Sequence, residues 1–337
     1  MADFNSEFFI DYSDLDDFQR QLIDRKSNKS MVVIGSAGSG KSLIALHKAK
    51  QIAALGHSYA VVVYTKTLRK YFADGLKALG LSNVYHWHEW RNMRHHVKYL
   101  IVDECQDFGA QEIDELKSDG DICLFFGDSA QSIMTFKDGG VQSMEITAQK
   151  LGIPPEPLYF NYRLTKSVAM LAEEVGKEED LVIKCKRDGK KPYLIEADSY
   201  HAQLDRIAEV IKNASLTNVG ILLPYNTSDK GGRYSVEYVK TYFFSKGITC
   251  EFKYNADKDT EMDLDFHSDN PKIMTWWCAK GLQFKDVFLP GCEYEYTPDK
   301  RAAVYVAMTR CSERLFLGYT GELNSFFPDK TSDLYES

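Results

Sequence analysis

No apolar run in the chain approaches the ~18 residues that a bilayer-spanning helix requires, so no membrane partner is expected. The first residues, MADFNSEFFIDYSDLDDF, are acidic and lack a basic stretch followed by an apolar one, so no secretory leader is expected either. The cysteines (Cys105, Cys123, Cys185, Cys250, Cys278, Cys292 and Cys311) number seven, are scattered, and never stand as C-x-x-C. That pattern argues against a disulfide framework, a structural zinc site and an iron–sulfur cluster, and fits a reducing cytoplasm. Positive charge is also scarce: 41 Lys and Arg stand against 49 Asp and Glu, a net charge of −8. A protein that coats duplex nucleic acid by charge alone should be basic, so bulk electrostatics do not favour that role. Low-complexity stretches and short repeats are absent. What remains is an ordinary globular composition, 44% hydrophobic and 27% charged over 337 residues, enough for two domains.

Local basic runs stand out against the acidic whole: KCKRDGKK (184–191) and RNMRHHVK (91–98). Either is compatible with a solvated loop or with one wall of a groove. Short apolar runs alternate with helical patterns along the whole chain. MVVIG (31–35), AVVVY (60–64), YLIVD (99–103) and DICLFFGD (121–128) read as buried strands, with SLIALHKAKQIAALG (42–56) an amphipathic helix between the first two. Buried strands separated by helices are the mark of a parallel sheet covered on both faces. A second series follows: strands at KPYLIEA (191–197), NVGILLP (218–224), IMTWW (273–277), DVFLPG (286–291) and FLGYTG (316–321), with helices at 166–176, 201–214, 235–247 and 301–315. The densest proline cluster, GIPPEP (152–157), separates the series. The expectation is two α/β domains, residues 1–150 and 151–337, with a hinge near 145–160.

Gly35-Ser36-Ala37-Gly38-Ser39-Gly40-Lys41-Ser42 fits G-x-x-x-x-G-K-[ST] and sits between a buried strand and an amphipathic helix, as that motif requires. Glycines let successive backbone N–H groups turn inward at a helix N-terminus and form an anion site. Lys41 is expected to reach the β- and γ-phosphates of ATP, and the Ser42 hydroxyl to ligate Mg²⁺. A carboxylate partner should end another parallel strand, and YLIVD runs into Asp103-Glu104-Cys105-Gln106-Asp107. Asp103 is expected to hold Mg²⁺ and Glu104 to polarise the attacking water. Taken alone, such an acidic pair serves equally well as a helix N-cap; beside the phosphate loop, the metal reading is preferred.

DECQD after an apolar strand, downstream of GSAGSGKS, resembles the ATPase core of superfamily 1 helicases, specifically the UvrD/Rep-like group. Other motifs of that family follow in order. LDDFQ (15–19) resembles the adenine-reading Q motif, with Gln19 at its reading position. VVVYTKTL (61–68) is similar to a segment that contacts single strands through Thr65 and Lys66. His86-Trp87-His88-Glu89-Trp90 resembles T-F-H-x-W, with His88 matching. Gly127-Asp128-Ser129-Ala130-Gln131-Ser132-Ile133 resembles G-D-x-x-Q-S-I, which makes Gln131 a γ-phosphate sensor and puts Phe136 where a base-stacking aromatic often stands. Asn161-Tyr162-Arg163 resembles N-Y-R, whose Arg meets the γ-phosphate. TWWCAKGLQF (275–284) resembles T-x-H-x-x-K-G-L-E-F, which assigns Thr275 to nucleic acid and Gly281 and Gln283 to the nucleotide. VYVAMTR (304–310) resembles the last motif, with Arg310 as arginine finger.

The resemblance implies a fold of two RecA-like (P-loop NTPase) parallel-sheet domains in tandem, the nucleotide cleft between them, and ATP and Mg²⁺ as cofactors. It implies translocation on single-stranded DNA, or alternatively RNA, with 3′ to 5′ polarity. Trp90 and Trp276 are further stacking candidates, with core packing as the other reading of all three aromatics. Three departures qualify the match. Only twelve residues separate Trp90 from Asp103, where the family usually inserts a subdomain, so the accessory insertions are expected to be missing. Gln283 replaces the family's Glu, and Trp277 its His. A second reading is therefore an ATP-controlled regulatory or binding subunit, working with a nuclease or another protein of a repair, mobile-element or antiviral complex.

Overall fold

The computed structural model describes residues 9–93, 95–128, 143–177, 179–255 and 260–336. The chain divides into two units, with the junction between Asn161 and Tyr162.

The first unit is built on a six-stranded parallel sheet of order β3-β2-β4-β5-β1-β6. Its strands are β1 (Met31–Gly35), β2 (Tyr59–Val63), β3 (Val84–His86), β4 (Val97–Val102), β5 (Gly120–Gly127) and β6 (Pro155–Leu158). Its helices are α1 (Asp17–Asp24), α2 (Lys41–Ala54), α3 (Lys66–Ala78), α4 (Trp87–Met93), α5 (Ala110–Ser118) and α6 (Met144–Leu151). The central strands are apolar on both faces because both are covered. Val32, Val62, Leu100, Val102 and Phe125 pack with Trp87, Trp90, Phe108 and Ile113 on one side. The alternate residues Val33, Val61, Ile101 and Phe126 are equally buried, with α2 packed against β1, β2, β4 and β5. The proline cluster at 152–157 forms much of β6, which pairs in parallel with β1 through Val32–Pro155 and Gly35–Leu158. Proline cannot donate to a ladder, and β6 has a partner on one side only, so the sheet edge is where it is tolerated.

The second unit holds a seven-stranded sheet of order β12-β11-β13-β10-β14-β15-β9 and a two-stranded sheet, β7-β8. The strands are β7 (Asn161–Thr165), β8 (Cys185–Arg187), β9 (Tyr193–Glu196), β10 (Val219–Leu223), β11 (Glu251–Asn255), β12 (Thr260–Asp263), β13 (Lys272–Thr275), β14 (Phe284–Leu289) and β15 (Cys311–Tyr319). All pairings in the larger sheet are parallel except β11 with β12. Helices α7 (Lys166–Gly176), α8 (Tyr200–Asn213), α9 (Val236–Ser245) and α10 (Arg301–Met308) accompany it. Leu204, Ile207, Val239 and Phe243 from α8 and α9 bury Ile221, Ile273, Phe288 and Phe316 of the sheet. The helix expected over 301–315 ends at Met308, which is a correction. The Arg310 carbonyl accepts the Phe284 N–H, and Cys311 begins β15 opposite Phe284. Pairing with a buried strand thus takes over from a sequence that could have continued as helix. No helix among the described residues is long and apolar enough to cross a membrane.

Candidate nucleotide and nucleic-acid site

The phosphate loop joins β1 to α2, with Gly38 and Gly40 at φ +77° and +89°, backbone that side chains resist. The Lys41 ammonium folds over the loop and donates to the carbonyls of Gly35 (2.7 Å) and Ser36 (3.1 Å). From the N-terminal side, α1 begins with a capping box. Asp16 accepts the Gln19 N–H at 2.7 Å, and Gln19 Oε1 accepts the Asp16 N–H at 3.3 Å. The same Gln19 amide donates to the Ser39 carbonyl at 3.2 Å. Lys48, fully buried, donates to the carbonyls of Ile23 and Arg25 and so fastens the end of α1 to α2. Burial, with Arg25 nearby, lowers its pKa to about 8. From the other side, the Asn161 amide donates to the Ala37 carbonyl at 2.5 Å. Three side chains, of Lys41, Asn161 and Gln19, thus hold the loop through the carbonyls of Gly35, Ser36, Ala37 and Ser39.

Asp103, at the end of β4, is completely buried, and Ser42 donates to its Oδ2 at 2.6 Å. Burial first, and then the neighbouring Glu104 charge, push its pKa well above the usual carboxylate range. Asp103 Oδ1, Ser36 Oγ and Ser39 Oγ are buried with no hydrogen-bond partner among the described residues. Orphaned oxygens around a helix N-terminus suit a phosphate and a hard divalent cation. The donor set therefore fits MgATP. Glu104 adopts φ +53° and accepts from Gln106 Nε2 at 2.6 Å.

Thr65, Lys66 and His88 lie where β2 and β3 run into their helices. Thr65 caps α3, accepting the Leu68 N–H at 3.1 Å, while Lys66 and His88 are exposed. His86 and His88 stack at 5.0 Å, and Arg69 pairs with Glu89 at 3.3 Å beside them. Burial, and secondarily His88, lower the His86 pKa to about 4. The two tryptophans considered as stacking platforms are core residues. Trp90 is 1% exposed and donates to Asp119; Trp276 is 3% exposed and donates to the Leu222 carbonyl. In HWHEW, Trp87 and Trp90 stand three apart on a helix and therefore face the sheet together. Gln131 and Phe136 lie outside the described residues.

In the second unit Arg163, Gln283 and Arg310 converge. Arg163 Nε donates to Gln283 Oε1 at 2.9 Å and its Nη1 to the Thr309 carbonyl at 3.3 Å. Arg310, 1% exposed, donates to the Val306 carbonyl (2.9 Å) and to Thr309 Oγ1 (3.0 Å). Gly281 lies in the turn between Thr275 and Gln283 at φ +78°, and buried Thr275 accepts the Cys278 N–H. One basic run has a structural use. Arg187, though exposed, donates to the carbonyls of Arg163 (2.8 Å) and Ser312 (2.9 Å), bracing the strand that carries Arg163. Gln106, Asn161, Lys48 and Arg187 hold neighbouring segments in place, a role that the motif series assigned to none of them. For Gln106, Asn161 and Lys48 the signal is a buried polar side chain bonded to another segment; Arg187 is exposed and bonds two carbonyls of other segments.

A family model described as the UvrD-like helicase C-terminal domain matches residues 251–322, and one described as an AAA domain matches residues 19–137. The ATP-dependent DNA helicase Rep of Buchnera aphidicola subsp. Baizongia pistaciae is 25% identical over 161 residues. That match covers 38% of this chain and only 24% of the relative's length. Among solved structures, the C-terminal domain of a possible DNA helicase from Lactobacillus plantarum is 16% identical (TM-score 0.39; 52% of this chain, 96% of that one). The PRRSV helicase structure is 14% identical (TM-score 0.45; 89% of this chain, 54% of that one). The AAA model towards the N-terminus, the UvrD-like model towards the C-terminus and the Rep match agree with the motif series, and together they support a UvrD/Rep-like superfamily 1 helicase.

Proposed function

We propose that the chain is a Mg²⁺-dependent ATPase that translocates on single-stranded nucleic acid, DNA in the first instance, with the 3′ to 5′ polarity its motif series implies. The observation that carries this reading is the Ser42–Asp103 contact of 2.6 Å at the mouth of the phosphate loop, with Glu104 next in the chain. Lys41 and the loop N–H groups bind the phosphates. Ser42 and Asp103 hold Mg²⁺, which when bound neutralises charge on the phosphate oxygens. Glu104 takes the proton of the attacking water. Arg163, Arg310 and Gln131 respond to the γ-phosphate, and arginines in that role are worth ~10³–10⁵ in rate. Thr65, Lys66, His88, Thr275 and Phe136 serve the strand, and Gln19, Gly281 and Gln283 the nucleoside.

The deciding experiment is steady-state ATP hydrolysis with and without single-stranded DNA and RNA, using Lys41→Ala as blank. Stimulation by one polymer is expected, together with a loss of about 10²-fold or more in Glu104→Gln. Wild-type turnover in Glu104→Gln would overturn the reading. Hydrolysis indifferent to both polymers would transfer the assignment to an ATP-controlled subunit of a larger complex.

A further inference from the structure

Gln106 is wholly buried, and both ends of its amide are bonded. Its Nε2 donates to Glu104 Oε2 at 2.6 Å, while its Oε1 accepts the backbone N–H of Asp128 at 3.0 Å. Only one orientation of the amide serves both partners, since an ionised carboxylate only accepts and a peptide N–H only donates. The neighbourhood is shaped around this bridge. A Cβ at Gly127 would lie 2.7 Å from Gln106 Oε1 and 2.4 Å from Met144 Sδ, so a side chain there would have to displace the Gln106 amide or the end of Met144. Glu104, for its part, stands at φ +53° on a turn between β4 and a short 3₁₀ segment (Cys105–Asp107). The hydrogen bond from Gln106 is one that fixes the direction of its carboxylate.

We infer that Gln106 is a positioning residue that makes the aim of Glu104 depend on where the backbone at the end of β5 stands. The inference rests on the reading of Glu104 as general base. Asp128 precedes Gln131 by three residues, so whatever moves the chain at Asp128 is transmitted through one rigid amide to the carboxylate that handles the water. A base held within a few tenths of an ångström of its productive position keeps most of the proximity advantage; misplacement by about 1 Å costs on the order of 10²-fold. Removal of the amide should therefore lower turnover while leaving ATP binding, which the loop, Ser42 and Asp103 supply, nearly unchanged.

The test is the full chain as wild type, Gln106→Met, Glu104→Gln and the double variant, with kcat, KM for ATP and melting temperature measured for each. The expected pattern is a kcat loss of roughly 10- to 100-fold in Gln106→Met, KM within about twofold, and a double variant no slower than Glu104→Gln alone. Such non-additivity marks two residues acting as a unit. Gln106→Glu keeps the volume and the acceptor for Asp128 but faces Glu104 with a second carboxylate. It should lose as much turnover as the methionine variant, and it serves if that one fails to fold. An equal fractional loss in both backgrounds, a raised KM at unchanged kcat, or wild-type turnover in Gln106→Met would each overturn the relay. An active Glu104→Gln would instead overturn the general-base reading itself, an outcome distinct from the others.

Discussion

Two constraints meet at Gly40: its φ of +89° and a Gln19 Nε2 that would lie 2.3 Å from any added Cβ. Gly40→Ala should therefore cost about 1–2 kcal/mol for the left-handed backbone and also displace the Gln19 amide from the Ser39 carbonyl. The expected result is a melting temperature several degrees lower, with a KM for ATP raised severalfold. Gln19→Ala should reproduce the KM effect without the backbone cost. Melting curves and ATP titrations of both variants decide it, and an unchanged KM in both would remove Gln19 from the nucleotide site. Where the candidate site is contiguous, its local structure was legible: 35–42 joins a buried strand to a helix, and Asp103-Glu104 stands at the end of another strand. Asn161 holding Ala37, and Arg187 holding Arg163, could not be read that way. Each is a single polar side chain whose partner is a distant backbone carbonyl, and no periodicity records that.

At the scale of elements, the strands read correctly are those buried on both faces, since continuous apolar runs such as MVVIG and YLIVD admit few alternatives. Those missed owe their form to neighbours. β3 is three residues long and exists because it pairs with β2, and β6 is strand despite two prolines because it occupies an edge. β3 also sets up a pH dependence. His86 ends it half-buried, and burial with His88 close by lowers its pKa from 6.5 to about 4. The unfolded chain then binds a proton near pH 6.5 that the native state refuses until about pH 4. Stability carried by the neutral ring is thus fully present above pH 6.5 and is lost as pH falls through that window. One proton corresponds to a slope of at most about 1.4 kcal/mol per pH unit. Urea unfolding at several pH values should show His86→Asn losing stability less steeply on acidification than the wild type. Parallel slopes would mean that the ring is protonated in the native state too.

For the whole molecule the governing quantity is the net charge of −8. A chain of that sign repels a polyanion at long range, so association with a single strand gains nothing from steering and must rest on a few local cations. Salt then acts in two opposed ways. It screens the far-field repulsion beyond a Debye length of about 10 Å at 0.1 M, and it competes with the counterions released at each contact. For single strands the second effect contributes about −0.7 per phosphate neutralised to the slope of log affinity against log salt. Exposed Lys66, at the head of α3, is a candidate contact whose charge reaches His86. Lys66→Ala should therefore flatten that slope by about 0.7 while leaving ATP hydrolysis without polymer unchanged. The association rate should change little, because no long-range attraction is being removed. Fluorescence anisotropy with a labelled oligonucleotide across a salt series measures the slope, and stopped-flow mixing the rate. An unaltered slope would place the strand elsewhere on the surface; a large fall in association rate would show that local field, despite the acidic whole, guides the approach.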